Sequence, residues 1–400
     1  MIVRRAPRFS LLCFGFVVCG MVTVLPGPLL PAMAARWGLR DLQSGTFFAA
    51  EFLASTVGSI FSPHWLRRNL PLGYGSMTCG VLLLIAAEQA PQASVGHALA
   101  LTAFALVGLG IGLSVTATNL TVAQATESDA GAAERARRIS IVNLWWGLGA
   151  VACPWLIAAA EQRELLPWLL LALALGAAGM FGGLAPQWRE PEFAAAGGAP
   201  RAPLASEAGV LVFFAVFLFL YVGVETVVSG WITTYAHRFS GLTVARASVM
   251  VSVFWLALLA GRWLGSAALQ AIAERLVLLP ALVLSLIGVM AMVLAHSTAV
   301  VLAAVAVAGA GFGPVFPIGV SRMLGRLRDH RNTGWVFAVT ASGGAVLPWL
   351  TGLVSTETGS LRVGFAVAVG AVAVLLGLAA AENGVLGRGK RPQSGVSITE

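Results

Sequence analysis

The chain has 400 residues, of which 58% are hydrophobic and only 10% charged, with a mean hydropathy of +0.86; soluble domains carry about a quarter charged residues and cannot bury this much apolar surface. The net charge of +8 does not point to nucleic acid, because the basic residues are scattered through short connections and form no interleaved aromatic and basic patch. Cys13, Cys19, Cys79 and Cys153 lie inside apolar runs without CxxC spacing, so the sequence predicts small packed hydrophobes rather than disulfide or metal chemistry.

Lipid is therefore the expected solvent. The apolar runs are about 20 residues long instead of alternating ten-residue strands, which predicts an all-α membrane protein. The first run, 11–33, follows Arg4, Arg5 and Arg8 like a signal peptide, but it is too long for one and contains Pro26, Pro28 and Pro31. It reads as the first membrane helix. Further helices are predicted at 44–65, 70–90, 97–123, 139–160 and 164–185. After a Pro, Ala and Gly-rich linker at 186–208 come 209–236, 244–270, 276–295, 298–324, 332–355 and 360–381.

Twelve helices divide into an N-terminal half (1–185) and a C-terminal half (209–385), with a tail at 386–400. The even count puts both termini on one side. With that side cytoplasmic, 18 of the 25 Lys and Arg residues fall in cytoplasmic segments, against six outside and Arg262 within a helix. The positive-inside rule then predicts a multi-pass protein of a bacterial-type inner membrane with both termini cytoplasmic.

An internal repeat supports two pseudo-symmetric six-helix bundles. Gly108-Leu-Gly110-Ile-Gly112 in the fourth helix is matched by Gly309-Ala-Gly311-Phe-Gly313 in the tenth. The segment Gly149 to Leu156 in the fifth is matched by Gly343 to Leu350 in the eleventh, with Pro154 and Pro348 as expected kink points. The Gly-rich segments lie within apolar helices and lack the Walker Lys and Ser/Thr, so close helix packing is expected rather than phosphate binding. In parallel halves of this kind a substrate binds near the midplane between them.

On these motifs the chain resembles the major facilitator superfamily over essentially its whole length. Tyr221-Val-Gly-Val-Glu225 to Gly230-Trp231-Ile-Thr-Thr-Tyr235, and the opening pattern GPLLP from Gly27 to Pro31, are similar to the fucose permease and sodium-dependent glucose transporter branch. The resemblance implies an alternating-access transporter. Two departures stand out. The loop after the second helix runs Gly58 to Pro63-His64-Trp65-Leu-Arg67-Arg68 without the superfamily's usual Asp, and the first helix lacks the acidic residue of the fucose permease pattern.

Ionisable groups in hydrocarbon are costly and usually face a water-filled pathway. Glu225, in the seventh helix, is the first candidate for cation coupling and for bonding substrate hydroxyls; the alternative is a structural carboxyl bonded to a neighbouring helix. Glu51 lies near a helix end, where its side chain could reach interfacial water. Arg262 could pair with a carboxylate and change partners with protonation, although a gating or helix-end arginine is the simpler reading.

Asn119 and Asn143 offer donors and acceptors suited to sugar hydroxyls, and Trp146 lies on nearly the same face as Asn143. Tyr221 shares a helix face with Glu225, with Ser229 a turn further on. Trp231, Trp255, Phe316 and Trp335 are further aromatic candidates for substrate contact, against packing or interfacial anchoring. Arg67-Arg68, Arg135 to Arg138 and Arg322 to Arg331 are expected to latch an inward gate with Glu127, Asp129, Glu134 and Asp329.

The expected function is uptake of a small neutral polar solute, best matched by a monosaccharide, with H⁺ or Na⁺ as coupling ion and no cofactor. A sodium-coupled sugar symporter and a proton-coupled exporter of hydrophobic compounds are the nearest rivals; a non-transporting sensor ranks lower. No His cluster, Ser/His/Asp set or metal spacing suggests an enzyme. Membrane lipid is the expected surrounding, nucleic acid is not an expected partner, and a monomer suffices because two halves complete a pathway.

Overall fold

The computed structural model describes residues 7–127, 132–189, 204–327 and 333–388. Among the described residues all regular elements are helical, and twelve helices cross the apolar slab. They are α1 (Phe9–Thr23, continued by Pro26–Trp37), α2 (Asp41–Phe61), α3 (Leu66–Glu88), α4 (Ala93–Glu127), α5 (Ala132–Glu161) and α6 (Leu166–Leu184) in the first half. The second half holds α7 (Leu204–Ser240), α8 (Val244–Ala268), α9 (Glu274–Leu294), α10 (Thr298–Phe312, continued by Val315–Arg326), α11 (Thr333–Thr358) and α12 (Leu361–Gly364, continued by Ala366–Arg388). The start of α1 and the end of α12 share one face, the terminal face.

Every apolar run expected in the sequence has its helix. Several helices outrun their apolar run: α4 begins at Ala93 and α5 at Ala132, because polar residues beyond the slab extend the same hydrogen-bond ladder. Glu134, in the first turn of α5, favours the positive helix end and holds Arg137 and Arg138 in a fork at 2.6 and 2.8 Å. The two guanidinium groups pull its carboxyl down to about 2. A depressed carboxyl contributes above the ordinary carboxylate range and is lost only as pH falls toward 2, so the fork is constant across physiological pH.

The halves are built on backbone contacts made possible by bare glycines. A Cβ on Gly108 would fall on the Glu51 carbonyl and one on Gly112 on the Ser55 carbonyl, so α2 and α4 cross with no side chain between them. Gly309 and Gly313 of α10 meet the Phe254 and Leu258 carbonyls of α8 in the same way. Gly149 rests on the Val17 carbonyl and Gly343 on the Phe219 carbonyl. The repeat in sequence is therefore a repeat of helix crossings, and it aligns Val17 with Phe219, hence Cys19 with Tyr221 and Thr23 with Glu225.

Pro154 and Pro348 lie inside helices that continue past them. The outright interruptions fall elsewhere. In α1 the ladder stops at Val24 and Leu25, because Pro26 and Pro28 have no N–H to give. In α10 it stops at Gly313 and Pro314.

The halves are joined between mid-membrane and the face opposite the chain ends. Arg238, at the end of α7, donates two hydrogen bonds to Asp41 at the start of α2, at 2.7 and 2.8 Å. Ser355 of α11 donates to the same carboxylate, and the Leu42 amide donates to Thr356 at 2.8 Å. Deeper in, Ser252 of α8 donates to the Val151 carbonyl of α5 at 2.7 Å.

At the terminal face the described pairs stay within one half: Glu134 with its own helix, and Arg322 and Arg326 with Glu382 of α12, Arg322 also with Glu274 of α9. The inward latch expected from Glu127, Asp129, Arg135 and Asp329 rests on side chains outside the described residues, as do most of the linker and the tail.

Gly112→Val and Gly313→Val should each lower the melting temperature of the purified protein by several degrees, corresponding to roughly 1–3 kcal/mol of overpacking. Gly179→Val, whose side chain would meet open space, should leave it unchanged. Equal melting temperatures for all three would remove the glycine crossings as the basis of the fold.

Candidate functional site

A cavity of about 80 Å³ lies between the halves. It is walled by Thr23 and Gly27 at the break in α1, Phe48 and Phe52 of α2, and Trp146 of α5. The second half contributes Glu225, Thr226 and Ser229 of α7 and Trp255 of α8. The Trp146 and Trp255 rings meet edge to face at 5.3 Å and 81°, an arrangement in which the positive ring edge meets the negative face. The Trp255 indole N–H is buried without a hydrogen-bond partner.

Glu225 is the one ionisable residue of that lining. The Tyr221 hydroxyl, one turn back on the same helix, donates to Glu225 Oε2 at 2.5 Å, with the Phe312 carbonyl 3.2 Å away as a second acceptor. Arg262 of α8 faces this pair, its guanidinium lying against the Tyr221 hydroxyl and within electrostatic reach of Glu225. Its Nε also donates to the Gly313 carbonyl at 3.3 Å.

That last contact follows from sequence. Residue 317 is proline, so the Gly313 carbonyl has no N–H four residues ahead, and a side-chain donor must answer it. Arg262 does so, and is thereby held beside Tyr221. It is thus turned inward, not toward the water at a helix end.

The three hydroxyls on the wall are bonded to their own helices: Thr23 to the Cys19 carbonyl at 2.7 Å, and Thr226 and Ser229 to the Val222 and Glu225 carbonyls at 2.8 Å. Each keeps its oxygen lone pairs as acceptors toward the cavity. Sequence reasoning missed Thr23, Thr226, Phe48 and Phe52. The signal that could have found Thr23 is the Pro26-Gly-Pro28 interruption just after it.

The other expected residues are distributed differently. Asn143 donates to Asn119 Oδ1 at 3.0 Å, so the two amides are brought together, but beside the cavity lining instead of in it. Trp231 is fully buried and donates to the Pro348 carbonyl at 3.1 Å, which ties α7 to α11 outside the cavity. Phe316 packs on Tyr221 at 5.6 Å, behind the carboxylate. Trp335 lies near the start of α11, away from the lining.

Glu51 is 1% exposed inside the first half, with both carboxylate oxygens unpartnered. It is no neighbour of interfacial water, contrary to the expectation from its place near a helix end. The positions equivalent to Tyr221 and Glu225 carry Cys19 and Thr23. Cys19 packs against the Tyr74 and Ser114 hydroxyls at 3.6 and 3.4 Å, a neutral counterpart of the charged cluster.

Comparison with known proteins agrees with this architecture. A Protein TsgA homolog of Erwinia tasmaniensis is 25% identical over 263 residues, a match spanning 64% of each chain. Among solved structures, a D-xylose-proton symporter aligns with a TM-score of 0.71 at 14% identity, covering 92% of this chain and 96% of that one. A mutant form of the nucleoside transporter NupG gives 0.70 at 13%, covering 93% and 98%. The E. coli fucose:proton symporter FucP gives 0.61 at 18%, covering 94% and 99%. Residues 12–333 match the family Major Facilitator Superfamily, and with its twelve helices in two repeated halves around a shared cavity the chain belongs to that superfamily.

Proposed function

We propose that the chain is a secondary active transporter that takes up a small neutral polar solute, best matched by a monosaccharide, by alternating access coupled to protons through Glu225. The observation that carries this reading is the cluster of Tyr221, Glu225 and Arg262 on the wall of an inter-half cavity that also bears hydroxyls and two indoles. Hydroxyl acceptors and the indole donor suit the rim of a sugar ring, and aromatic faces suit its C–H surface. Sugar and nucleoside transporters among the structural neighbours point the same way.

The coupling chemistry follows from charge pairing. Ionised Glu225 accepts from the Tyr221 hydroxyl and attracts the Arg262 guanidinium, which itself rests on Tyr221 and the Gly313 carbonyl. A proton on Glu225 cancels that attraction and leaves Arg262 only the Gly313 carbonyl and Tyr221 contacts it already makes, which weakens the hold of α7 on α8. Substrate hydroxyls then meet a neutral carboxyl on the cavity wall. H⁺ therefore serves as the coupling ion, with sodium as the competing assignment, and a monomer in a bacterial-type inner membrane with both termini cytoplasmic is the arrangement that the basic terminal face supports.

At about 80 Å³ the cavity is well below the roughly 300–1,000 Å³ of sites for drug-sized ligands, so a sugar enters only when the halves part. The Asp41 cluster holds the outer face shut in this conformation. Solute access from outside requires Arg238, Ser355 and Thr356 to let go of α2.

Glu225→Gln should abolish accumulation of a labelled hexose in proteoliposomes under an imposed pH gradient while sparing exchange. Unchanged accumulation removes Glu225 from coupling; accumulation driven by sodium alone reassigns it to a sodium site. Lack of hexose transport under either gradient, with energised efflux of an apolar dye, would favour the exporter reading, for which the Phe48, Phe52, Trp146 and Trp255 walls also provide. Arg238→Gln should raise outer access to the cavity, read as faster labelling of an engineered Ser229→Cys by a membrane-impermeant maleimide. Loss of about 1.4 kcal/mol from the closed state gives tenfold, and an unchanged labelling rate would exclude Asp41 and Arg238 as the outer latch.

A further inference from the structure

A second concavity, about 600 Å³ and almost wholly apolar, opens on the outer wall of the first half between α3, α4 and α6. Its floor on α3 is Leu72, Gly75, Ser76 and Cys79, with Leu109 of α4 and Phe181 of α6 as walls. These α3 residues share one face, and Arg68 lies on that same face one turn nearer the terminal face. From Leu72 to Cys79 the groove follows α3 for about 10 Å at 1.5 Å per residue.

The end of the groove is built. Trp188, which follows α6, donates its indole N–H to the Arg68 carbonyl at 3.1 Å and stands edge to face on Phe181 at 5.7 Å. Trp65 and Trp188 are both exposed, 52% and 41%, and exposed tryptophans mark the headgroup level of a bilayer. Arg68, itself exposed, sits at that level, with the apolar groove starting one turn deeper.

The repeat supplies an internal control. Gly80 of α3 meets Ala103 and Val107, as Gly288 of α9 meets Ala304 and Ala308, which aligns position 80 with 288. By that alignment Arg68, Gly75, Ser76 and Cys79 correspond to Leu276, Val283, Leu284 and Ile287. All four of the latter are exposed, bulky and apolar. The second half thus fills the surface that the first half leaves hollow and carries Leu276 where the first half carries Arg68. The fold does not require the groove.

We propose that this groove binds one anionic phospholipid, an acyl chain lying along Gly75 and Cys79 and the phosphate on Arg68. An arginine at the interface favours an anionic headgroup over a zwitterionic one, and small residues below it admit a chain that bulky ones would exclude. The site is remote from the inter-half cavity and shares no residue with it.

Native mass spectrometry of the purified full chain, titrated with phosphatidylglycerol or phosphatidylethanolamine of identical acyl chains, tests this. The expected result is one tightly held phosphatidylglycerol, with phosphatidylethanolamine roughly fivefold weaker, the size expected for one basic residue at an anionic surface. Arg68→Gln should erase the preference and Arg68→Lys should restore most of it. Alkylating Cys79 on the folded protein should block both lipids, since Cys79 is the exposed thiol while Cys13, Cys19 and Cys153 are buried. A preference that survives Arg68→Gln, a tight adduct that survives alkylation, or Cys79-dependent binding of a neutral apolar dye without phosphatidylglycerol would each overturn the proposal.

Discussion

A peptide carbonyl in hydrocarbon must find a donor, and most of this molecule is the simplest answer to that demand. The exceptions are where it becomes specific. At the break in α10, Pro317 leaves the Gly313 carbonyl without an amide, and Arg262 crosses from α8 to supply one. The Phe312 carbonyl lies beside Tyr221 in the same way. Both side chains are thereby held beside Glu225, which Tyr221 bonds and Arg262 reaches electrostatically, so the cluster on the cavity wall is anchored by backbone carbonyls and not by charge alone. The break in α1, at Pro26 and Pro28, lies across the cavity and opens the wall at Thr23 and Gly27.

Much of the architecture could be read from the sequence because the bilayer reduces the choice to apolar length. Run length separates twelve helices, and repeated glycines declare which of them touch. Within the site, the four-residue spacing of Tyr221 and Glu225 was sufficient, since it fixes a shared helix face. Arg262 was ambiguous because its task depends on a carbonyl 51 residues later, orphaned by a proline on another helix. Trp231 and Glu51 show the limit from the other side. Nothing in their neighbours along the chain tells a residue aimed at the cavity from one aimed at α11 or into the first half. Thr23 and Thr226 were overlooked because a Thr bonded to the carbonyl four residues back is commonplace in membrane helices.

The polar contacts between the halves are unevenly placed along the membrane normal. Asp41 gathers Arg238 and Ser355 at one face, while the described ion pairs at the terminal face close within a half. Among the described residues the Asp41 cluster is the one ion pair that joins the halves. Because Arg238 remains 46% exposed, water can replace its partner, which keeps the cost of parting the pair modest. By contrast, Glu225 and Arg262 face each other inside the protein, where a lost partner would be felt more strongly.

The matched glycine crossings and the unmatched side chains have different histories. Val17 and Phe219, or Ser55 and Leu258, occupy the same joints in both halves and differ without consequence, since only their backbones take part. Cys19 and Thr23, however, face Tyr221 and Glu225 across the repeat with no charge of their own. Two identical halves would bring a pair of carboxylates and a pair of guanidiniums to one small cavity, where like charges would crowd each other. One-sided charge is available only where the two halves differ in sequence, as Cys19 and Thr23 differ here from Tyr221 and Glu225.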